Sequence, residues 1–478
     1  MTDLQKLKPL LNAVGLELSP EKCELLQLSP STKPELIAAL HQCLPKVKTL
    51  SIGELTLLRS PIHATATKSA INRYETIVNR MCSRIKLLDS HSGLFFLTHH
   101  TAAPRLNYLL RTSPLYEVPQ SLKEIDAKIH ATAMSVTNVD MDGEAWRQAS
   151  LPVRFGGLGL RSVGSLALPC YLSSMNKSQE LVNSILGVTE PRKSSAQVKA
   201  ERFFQQQFPD TELPTTDAAA RQKTWDELIC QKEFANLKNS ANQIHSARLL
   251  AAASPHSGAW LQALPSSALG LHLDDETVRI SVALRLGSQV CEPHRCRCGK
   301  FVNNLGHHGL SCRFSAGRLP RHYHINDVVK RSLAAAGIPS WLEPVGLDRG
   351  DGRRPDGLTV FPFTDGKNLC WDSTCHDTFC KTALKDTALS AGAAANKAEA
   401  DKRRQYASLQ GRYRFEPLAI ETSGVFGKTS AKLVSEIGRR IAAQTGDKRE
   451  TAWLRQRLSI AVVRGNAASV LATGNHDG

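Results

Sequence analysis

Long apolar stretches are absent from this 478-residue sequence. A membrane-spanning helix needs about 20 consecutive apolar residues, and no run approaches that length. The N-terminal residues also lack the basic and then apolar order of a secretory signal peptide. Internal repeats and low-complexity tracts are missing too. These absences argue against a membrane protein, a secreted protein and a repeat array, so we expect an intracellular, globular chain.

Acidic residues are fewer than basic residues in this sequence. The sequence has 60 Lys and Arg residues against 44 Asp and Glu residues, which leaves a formal net charge of +16. A surplus of positive charge of this size favours a polyanionic partner such as nucleic acid. The alternative is that the charge serves only to keep the protein in solution. With 41% hydrophobic residues, the chain is long enough to bury the cores of roughly two to four domains.

The twelve cysteines are unevenly distributed, and four of them fall within the stretch "VCEPHRCRCGKFVNNLGHHGLSC". In a reducing compartment, clustered cysteines bind metal more often than they form disulfides. Zinc takes about four thiolate and imidazole ligands, and a short loop closed by His and Cys supplies them. The predicted structural zinc ligands are Cys296, Cys298, His308 and Cys312.

Two questions about this cluster stay open at the level of sequence. A Cys-x-Cys pair chelates less comfortably than Cys-x-x-Cys, so Cys291 or His307 is an alternative for one ligand. The interpretation without metal is a loop of buried free thiols. A closed four-ligand site of this size would fold a loop and contact nucleic acid, and it has no position left for catalysis.

Most of the chain has a helical pattern, and its last third alternates helices and strands. Apolar residues recur every three or four positions over 71–88, and the three glycines of "LPVRFGGLGLRS" (151–162) predict a tight turn against another backbone. We predict a linker with a surface helix over 185–245, a turn at Asp274–Asp275 and a strand over 278–287. From residue 325 onward the pattern predicts a sheet of three or four strands flanked by helices.

Two aspartates lie on neighbouring strands of this predicted sheet. Asp356 begins "DGLTVF", and Asp372 lies inside "NLCWDST". A regular two-residue hairpin at Asp365–Gly366 would put the two carboxylates on opposite faces, because a one-residue offset reverses every side chain. Pro362 cannot donate to a strand ladder, so we predict a bulge or a looser turn at "FPF" (361–363), which would bring the aspartates to one face.

A cation for the same site is expected from the next helix. Thr374 stands two residues after Asp372, whereas "AEADKRRQY" places Glu399, Lys402 and Tyr406 on one helical face. Metal-dependent nucleases need carboxylates on adjacent backbone elements and a lysine near the attacking water. The alternatives are ordinary: "PDG" is a common turn, Asp372 fits a capped surface acid, and Lys402 fits a solvated cation.

The motifs resemble the C-terminal part of animal non-LTR retrotransposon proteins that carry a zinc knuckle and a restriction-like endonuclease of the PD-(D/E)-x-K class. The segments that carry the resemblance are "GHHGLSC", "GRLPRHYHIND", "RRPDG", "WDST", "AGAAANKAEADKRRQYASL", "FEPLAIETSGVFG" and "RETAWLRQRLSIAVVRGNA". Near the N-terminus, "GLELSPEKCELL" resembles a reverse-transcriptase segment, "LTLLRSPI" a primer grip, and "LPVRFGGLGLRS" the end of a thumb. The resemblance spans nearly the whole chain and is most specific from about 291 to 468.

The resemblance implies specific roles for individual residues. Asp356 and Asp372 would bind Mg²⁺ or Mn²⁺, and Lys402 would be the catalytic lysine. The supporting residues that it implies are Glu343, Arg321, His322, Tyr406 and, in the polymerase remnant, Lys22. Thr374 departs from the family pattern, which has lysine there, and Arg59 stands where the primer-grip pattern has glycine.

The expected fold class is multidomain α+β. The expected division is a palm remnant (1–62), a helical thumb (63–165), a helical linker (166–290), a zinc knuckle (291–324) and an α/β restriction-endonuclease-like domain (325–478). The aspartates of a polymerase site would lie upstream of residue 1, so we expect a truncated protein that does not polymerise alone.

The expected function is nicking of target DNA by a nuclear protein that also contacts element RNA. The alternative is a DNA- or RNA-binding remnant without catalysis.

Overall fold

The computed structural model describes residues 2–27, 33–188, 193–347 and 354–474. Two compact units divide the chain, and each is assembled from three separate stretches. Unit 1 comprises Met1–Arg80, Arg105–Lys123 and Ala167–Gln222, and unit 2 comprises Met81–Pro104, Glu124–Leu166 and Lys223–Gly478.

Helices dominate the architecture and the sheets are small, so the molecule is of the mixed α+β class that the sequence predicts. No helix in the described ranges is long and apolar enough to cross a membrane. The five-part division stays a prediction, because the two units do not correspond to single stretches of sequence.

Short strands and long helices make up the first 188 residues. The strands are β1 (Glu24–Leu26), β2 (Lys48–Leu50), β3 (Thr56–Leu57) and β4 (Ser60–Pro61). The helices are α1 (Thr2–Ala13), α2 (Pro34–Cys43), α3 (Ala64–Ile85), α4 (Ser90–His100), α5 (Ala102–Thr112), α6 (Pro119–Thr137), α7 (Gly143–Ala149) and α8 (Val163–Ile185). Helix α3 confirms the periodic pattern, because it buries Ile71, Val78 and Ile85 along one side.

Strands β3 and β4 form an antiparallel hairpin. Its two turn residues, Leu58 and Arg59, have φ angles of 49° and 67°. Positive φ favours glycine, which is the residue that the primer-grip pattern has at the position of Arg59.

The glycine-rich segment at 151–162 forms the tight turn that the sequence predicts. Gly156 has a φ of +84°, and a Cβ there would lie 3.2 Å from the backbone nitrogen of Ala253. A Cβ on Gly157 would lie 2.0 Å from the carbonyl oxygen of Leu151. Both positions therefore require glycine for close approach of two backbone segments.

The stretch from 193 to 290 is mostly helical, with α9 (Ser195–Gln207), α10 (Thr216–Ala219), α11 (Gln222–Asn239), α12 (Gln243–Ala252) and α13 (Asp275–Leu286). Phe204 on α9 and Trp225 on α11 are fully buried. The prediction of a linker with a surface helix over 185–245 is therefore wrong, because α9 and α11 each bury a large aromatic side chain.

The strand predicted over 278–287 is also wrong, since these residues form helix α13 and its cap. Nearly every side chain from Thr277 to Leu286 is buried. The sequence therefore lacks the one-sided apolar periodicity of a surface helix, and a short buried segment has the same apolar pattern in a helix and in a strand. The capping residues at its two ends identify the segment as a helix. Asp274 accepts a hydrogen bond from the Thr277 amide, and Gly287 ends the helix with a φ of 75°. Asp274–Asp275 is thus a helix start rather than a turn.

The cysteine segment and the C-terminal part supply the remaining elements. The strands are β5 (His294–Arg295), β6 (Phe301–Val302), β7 (Ser340–Leu342), β8 (Gly357–Thr364), β9 (Lys367–His376) and β10 (Arg414–Glu421). The helices are α14 (His307–Ser311), α15 (Arg318–Ala335), α16 (Leu384–Thr387), α17 (Ala393–Gln405), α18 (Lys428–Thr445) and α19 (Glu450–Leu471).

A four-stranded sheet in the order β10-β9-β8-β7 confirms the α/β pattern predicted after residue 325. Strands β9 and β10 are parallel, and the other pairs are antiparallel. Helices α15, α18 and α19 cover the sheet through a core that includes Leu333, Trp371 and Ile437. Its other members include Ile325, Val329, Leu369, Leu418, Leu433, Leu454 and Leu458. This core holds the strands that carry the two aspartates.

Candidate active site and candidate metal centre

Asp356 and Asp372 line one open cavity of about 380 Å³. Its other lining residues are His322, Glu343, Arg354, Pro355, Lys402, Gln405 and Tyr406. Asp356 immediately precedes β8, and Asp372 lies within β9. Helix α17 supplies Lys402, and α15 supplies His322. Residues from four separate segments therefore meet at this point.

Irregular pairing of β8 with β9 brings the two acids to the same face. The turn is the tight two-residue hairpin, because Thr364 pairs with Lys367. The register then shifts at Pro362, which pairs with Asn368, and shifts again before Leu358, which pairs with Cys370. The two shifts total three residues, which is an odd number, so the face of Asp356 is reversed relative to a regular hairpin. The predicted bulge at 361–363 is confirmed.

The backbone fixes Asp356 against β9. Its amide donates to the carbonyl of Trp371 at 3.0 Å, and its carbonyl accepts from the Glu343 amide at 2.8 Å. A Cβ on Gly357 would lie 2.1 Å from the ring of Trp371, so the "PDG" glycine is needed where the strand crosses this buried side chain.

Lys402 makes direct contact with Asp372. Its Nζ donates to Asp372 Oδ1 at 2.7 Å, and the carboxylate side chain is 5% exposed. Burial raises the pKa of Asp372, the nearby charge of Asp356 raises it further, and Lys402 opposes both effects. The lysine thus favours the ionised form of a carboxylate that its surroundings disfavour.

His322 contacts Asp356 within the same cavity. Its Nε2 lies 3.0 Å from Asp356 Oδ2, and the same oxygen accepts from the Ser373 amide at 2.6 Å. The hydrogen bond to Asp356 raises the pKa of His322, against the opposing effect of burial. Two donors on one carboxylate oxygen fix the orientation of Asp356.

Glu343 and Tyr406 lie at the edges of the same cavity. Glu343 forms an ion pair with Arg354 and has a φ of 49°. Tyr406 is buried, and its hydroxyl donates to the carbonyl of Arg354 at 3.0 Å. Its ring centroid lies 6.0 Å from Lys402 Nζ. Burial, followed by the effect of Asp372, raises the pKa of the Tyr406 hydroxyl.

Arg321 and Lys22 lie elsewhere. Arg321 is 2% exposed, and its Nη1 donates to Asn466 Oδ1 at 2.6 Å. Its guanidinium therefore links α15 to α19 and does not line the cavity. Lys22 is an exposed residue of a short 3₁₀ turn in unit 1, whereas the cavity belongs to unit 2.

Sequence reasoning missed Asn326, which supports the site from behind. Its Oδ1 accepts from the Trp371 indole at 3.0 Å and from the Ser373 hydroxyl at 2.7 Å. It therefore ties α15 to β9 on both sides of Asp372. The available signal was its spacing of four residues from His322 in "RHYHIND", which puts both side chains on one face of α15.

The cysteine segment brings together the four residues predicted to bind zinc. One ligand atom from each of Cys296, Cys298, His308 and Cys312 lies within 4.8 Å of the others. Cys296 Sγ and Cys312 Sγ are 3.7 Å apart, and Cys298 Sγ is 3.1 Å from His308 Nε2.

The local backbone has the turn geometry that such a site requires. Strands β5 and β6 form a hairpin, and Cys296 and Cys298 lie in the loop between them. Gly299 follows with a φ of +84°, and its amide donates to the carbonyl of Cys296 at 2.7 Å. A hydrogen bond with the Lys300 backbone lowers the pKa of the Cys298 thiol, which favours the thiolate that binds metal. The four residues fit a structural zinc ion.

The two alternative ligands point to other partners. Cys291 Sγ lies 3.4 Å from the carbonyl oxygen of Asn303. The ring of His307 stacks on Phe379, with centroids 4.0 Å apart and an angle of 7° between the planes. Neither belongs to the four-residue group.

Comparison with known proteins finds a distant relative. The chain is 24% identical over 342 residues to the retrotransposable element SLACS 132 kDa protein of Trypanosoma brucei gambiense. The match covers 69% of this chain but 24% of the relative, so the chain spans about a quarter of that protein's length. No protein-family model matches the chain. The chain is therefore related in sequence to a retrotransposon protein.

Proposed function

We propose that this chain is a retroelement-derived, metal-dependent DNA endonuclease. The observation that carries the proposal is the convergence of Asp356, Asp372 and Lys402 in one open cavity, with 2.7 Å between Lys402 Nζ and Asp372 Oδ1. Two carboxylates from separate segments can hold a divalent cation, and a protonated amine beside them can stabilise the negative charge of a phosphodiester. The relationship to a retrotransposable element protein supports the same assignment.

The two aspartates would hold Mg²⁺ or Mn²⁺, because both ions take carboxylate oxygens. The bound cation would supply an activated water and would stabilise charge on the phosphoryl oxygens. His322 orients Asp356, and Lys402 favours the ionised form of Asp372. Lys402 also places a positive charge where the negative charge of the reacting phosphate increases. Tyr406 positions the last turn of α17, which carries the lysine.

The remaining assignments belong to this proposal as well. Zn²⁺ bound by the four-residue cluster would hold the β5–β6 hairpin to α14, as a zinc knuckle does. The partners would be target DNA and element RNA in the nucleus. The stretches 1–62 and 63–165 would be a palm remnant and a thumb that bind nucleic acid, 166–290 a helical region, and 325–478 the nuclease domain.

Nicking of supercoiled plasmid tests the proposal. The full chain is incubated with Mg²⁺ or Mn²⁺, and it is compared with Asp356→Asn and Asp372→Asn, which keep side-chain size. Asp401→Asn is the matched control, because Asp401 is an exposed acid on α17 beside Lys402. We expect nicking by the native chain and the control, and a loss of at least about a hundredfold in each site variant.

The alternative function predicts another result in the same experiment. A binding remnant would retain salt-sensitive binding to DNA or RNA and would not nick with either metal. Equal nicking by Asp356→Asn, Asp372→Asn and Asp401→Asn would show that a contaminating nuclease causes the cleavage.

A further inference from the structure

A basic groove lies between α15, α19 and the loop at 267–270, with a volume of about 370 Å³. Helix α15 contributes His324 and Arg331, and α19 contributes Arg457 and Arg464. Each pair is separated by seven residues, which is about two helical turns, so each helix presents a row of basic side chains to the groove.

Carboxylates leave this charge incompletely neutralised. Asp327, the acid in the described lining, is paired with Arg331. The Glu450 carboxylate is 3.8 Å from Arg457 Nη2, and Arg457 Nε is buried without a hydrogen-bond partner in the described part of the chain. Arg464 donates to the carbonyl of His272 at 2.7 Å, which is a neutral acceptor.

The arginines of the two helices also affect each other. Burial lowers the pKa of Arg457; Glu450 opposes that effect, and the charge of Arg331 adds to it. An anion in the groove would offset the repulsion between Arg331 and Arg457, and it would accept the hydrogen bond that Arg457 Nε lacks. Guanidinium groups suit phosphate in particular, because their paired N–H donors match two phosphate oxygens.

The groove is separate from the catalytic cavity. His322 and Asn326 lie on the side of α15 that faces β9. His324 is two residues, or about 200°, further around the same helix. The groove and the cavity share no lining residue, so one chain can engage two nucleic-acid segments through opposite sides of one helix.

We propose that the groove between α15 and α19 binds the phosphodiester backbone of a second nucleic-acid segment, distinct from the strand in the catalytic cavity. The net charge of +16 and the two rows of basic side chains fit a phosphodiester chain. The 61% exposed side chain of Leu269 at the rim supplies apolar surface for a sugar or base. The inference extends beyond DNA cleavage and does not require it.

Fluorescence anisotropy with labelled single-stranded RNA, single-stranded DNA and duplex DNA tests this inference. All proteins carry Asp372→Asn, so that the probe is not cut. Arg331→Gln/Arg457→Gln is compared with Arg439→Gln/Arg449→Gln on α18 and at the start of α19. The control also removes two charges, and its Arg449 is paired with Asp447 as Arg331 is with Asp327. Thermal melting verifies that both variants are folded.

We expect the groove variant to bind at least one probe about tenfold more weakly, with a salt dependence reduced by about one to two phosphate contacts. The control should stay within about threefold of the parent. Equal affinities of the two double variants, or no probe binding by the parent, would overturn the inference. Displacement of the probe by millimolar inorganic phosphate at constant ionic strength would also overturn it, because the groove would then be a small-anion site.

Cleavage provides a separate readout. Groove variants made without Asp372→Asn should nick plasmid at an unchanged rate at saturating enzyme, since they leave the cavity intact. If the native chain does not nick but the groove variant loses binding, the proposed nuclease fails and the groove stands. If nicking occurs and the double variants bind equally, the groove fails and the nuclease stands.

Discussion

Lys402 shows how far the identity of a site residue can be predicted from sequence. Thr374 occupies the strand position where the family that the sequence resembles has lysine. The three- and four-residue spacing along α17 predicts that Lys402 reaches the site instead. The structure places its Nζ 2.7 Å from Asp372 Oδ1. Helical periodicity gave the correct face of α17, whereas the distance depends on how α17 packs against β9.

Replacing Lys402 should reduce nicking while leaving the fold intact, because the residue is partly exposed. We expect Lys402→Met to lower the single-turnover rate by about a hundredfold or more, since it removes a positive charge beside the reacting phosphate. Lys402→Arg should recover part of this loss, because its charge remains but its geometry differs. A methionine variant that nicks at the native rate would remove Lys402 from the mechanism.

Glu399 belongs to the same predicted face but has a different partner. It is 5% exposed and caps the start of α18. Its carboxylate accepts from the amides of Thr429 at 3.1 Å and Ser430 at 2.8 Å, and from the Ser430 hydroxyl at 2.6 Å. Sequence spacing identified the face, but it could not distinguish a residue at the cavity from one at a helix cap.

Removing this cap should destabilise the C-terminal α/β part. We expect Glu399→Ala to lower the free energy of unfolding by about 2–4 kcal/mol, because it leaves buried donors unsatisfied. Urea denaturation measures the difference. Asp401→Ala, an exposed acid on the same helix, should change it by less than about 0.5 kcal/mol, and equal effects of the two variants would contradict the capping role.

His91 should make stability depend on pH. It is 3% exposed, its Nδ1 accepts from the Leu273 amide at 3.1 Å, and burial lowers its pKa to about 4 from 6.5. The unfolded chain therefore binds the proton first as pH falls. The stabilisation is complete above pH 6.5 and is lost progressively as the pH falls toward 4.

The variant His91→Asn should weaken this dependence, because Asn keeps an acceptor for the Leu273 amide but does not titrate. Unfolding free energies at pH 7.5 and pH 4.5 should differ by roughly 1–3 kcal/mol less than in the native chain. The exposed residue His100 provides the control His100→Asn. An unchanged difference in His91→Asn would show that other groups carry the pH dependence.

At the scale of elements, the sequence predicts that the pairing of β8 with β9 is irregular, but it does not predict by how many residues the register shifts. Pro362 indicated a bulge, because it lacks an N–H for the ladder. The sequence required an odd shift but could not distinguish one residue from three. The observed total is three residues. Helix α13 was missed because it is buried all round, although Asp274 and Gly287 are ordinary capping residues.

The cysteine cluster should bind one zinc ion per chain. Cys298→Ser should lower the zinc content, measured by elemental analysis, and should lower the melting temperature, because the β5–β6 hairpin would lose its link to α14. Cys291→Ser is the matched control, since Cys291 Sγ instead contacts the carbonyl of Asn303. Equal zinc loss in both variants would move Cys291 into the ligand set, and no zinc in the native chain would leave the cluster as free thiols.

At the scale of the whole molecule, the order of elements could be predicted after residue 325, but the assembly of the units could not. Periodicity and turn residues gave the helix-strand order there, since each element is local. The two units each combine three distant stretches, and their boundaries fall inside α3, α5, α6, α8 and α11. The way in which these stretches combine into each unit depends on contacts between residues far apart in sequence.

The measurement that tests the central claim most directly is single-turnover nicking of plasmid in Mg²⁺ by Asp356→Asn, Asp372→Asn and the double variant. Residues that act as one metal site have strongly non-additive effects. We therefore predict that each single variant loses nearly as much activity as the double variant. Nicking that persists in the double variant, or losses that multiply as for independent sites, would contradict a shared metal site at Asp356 and Asp372.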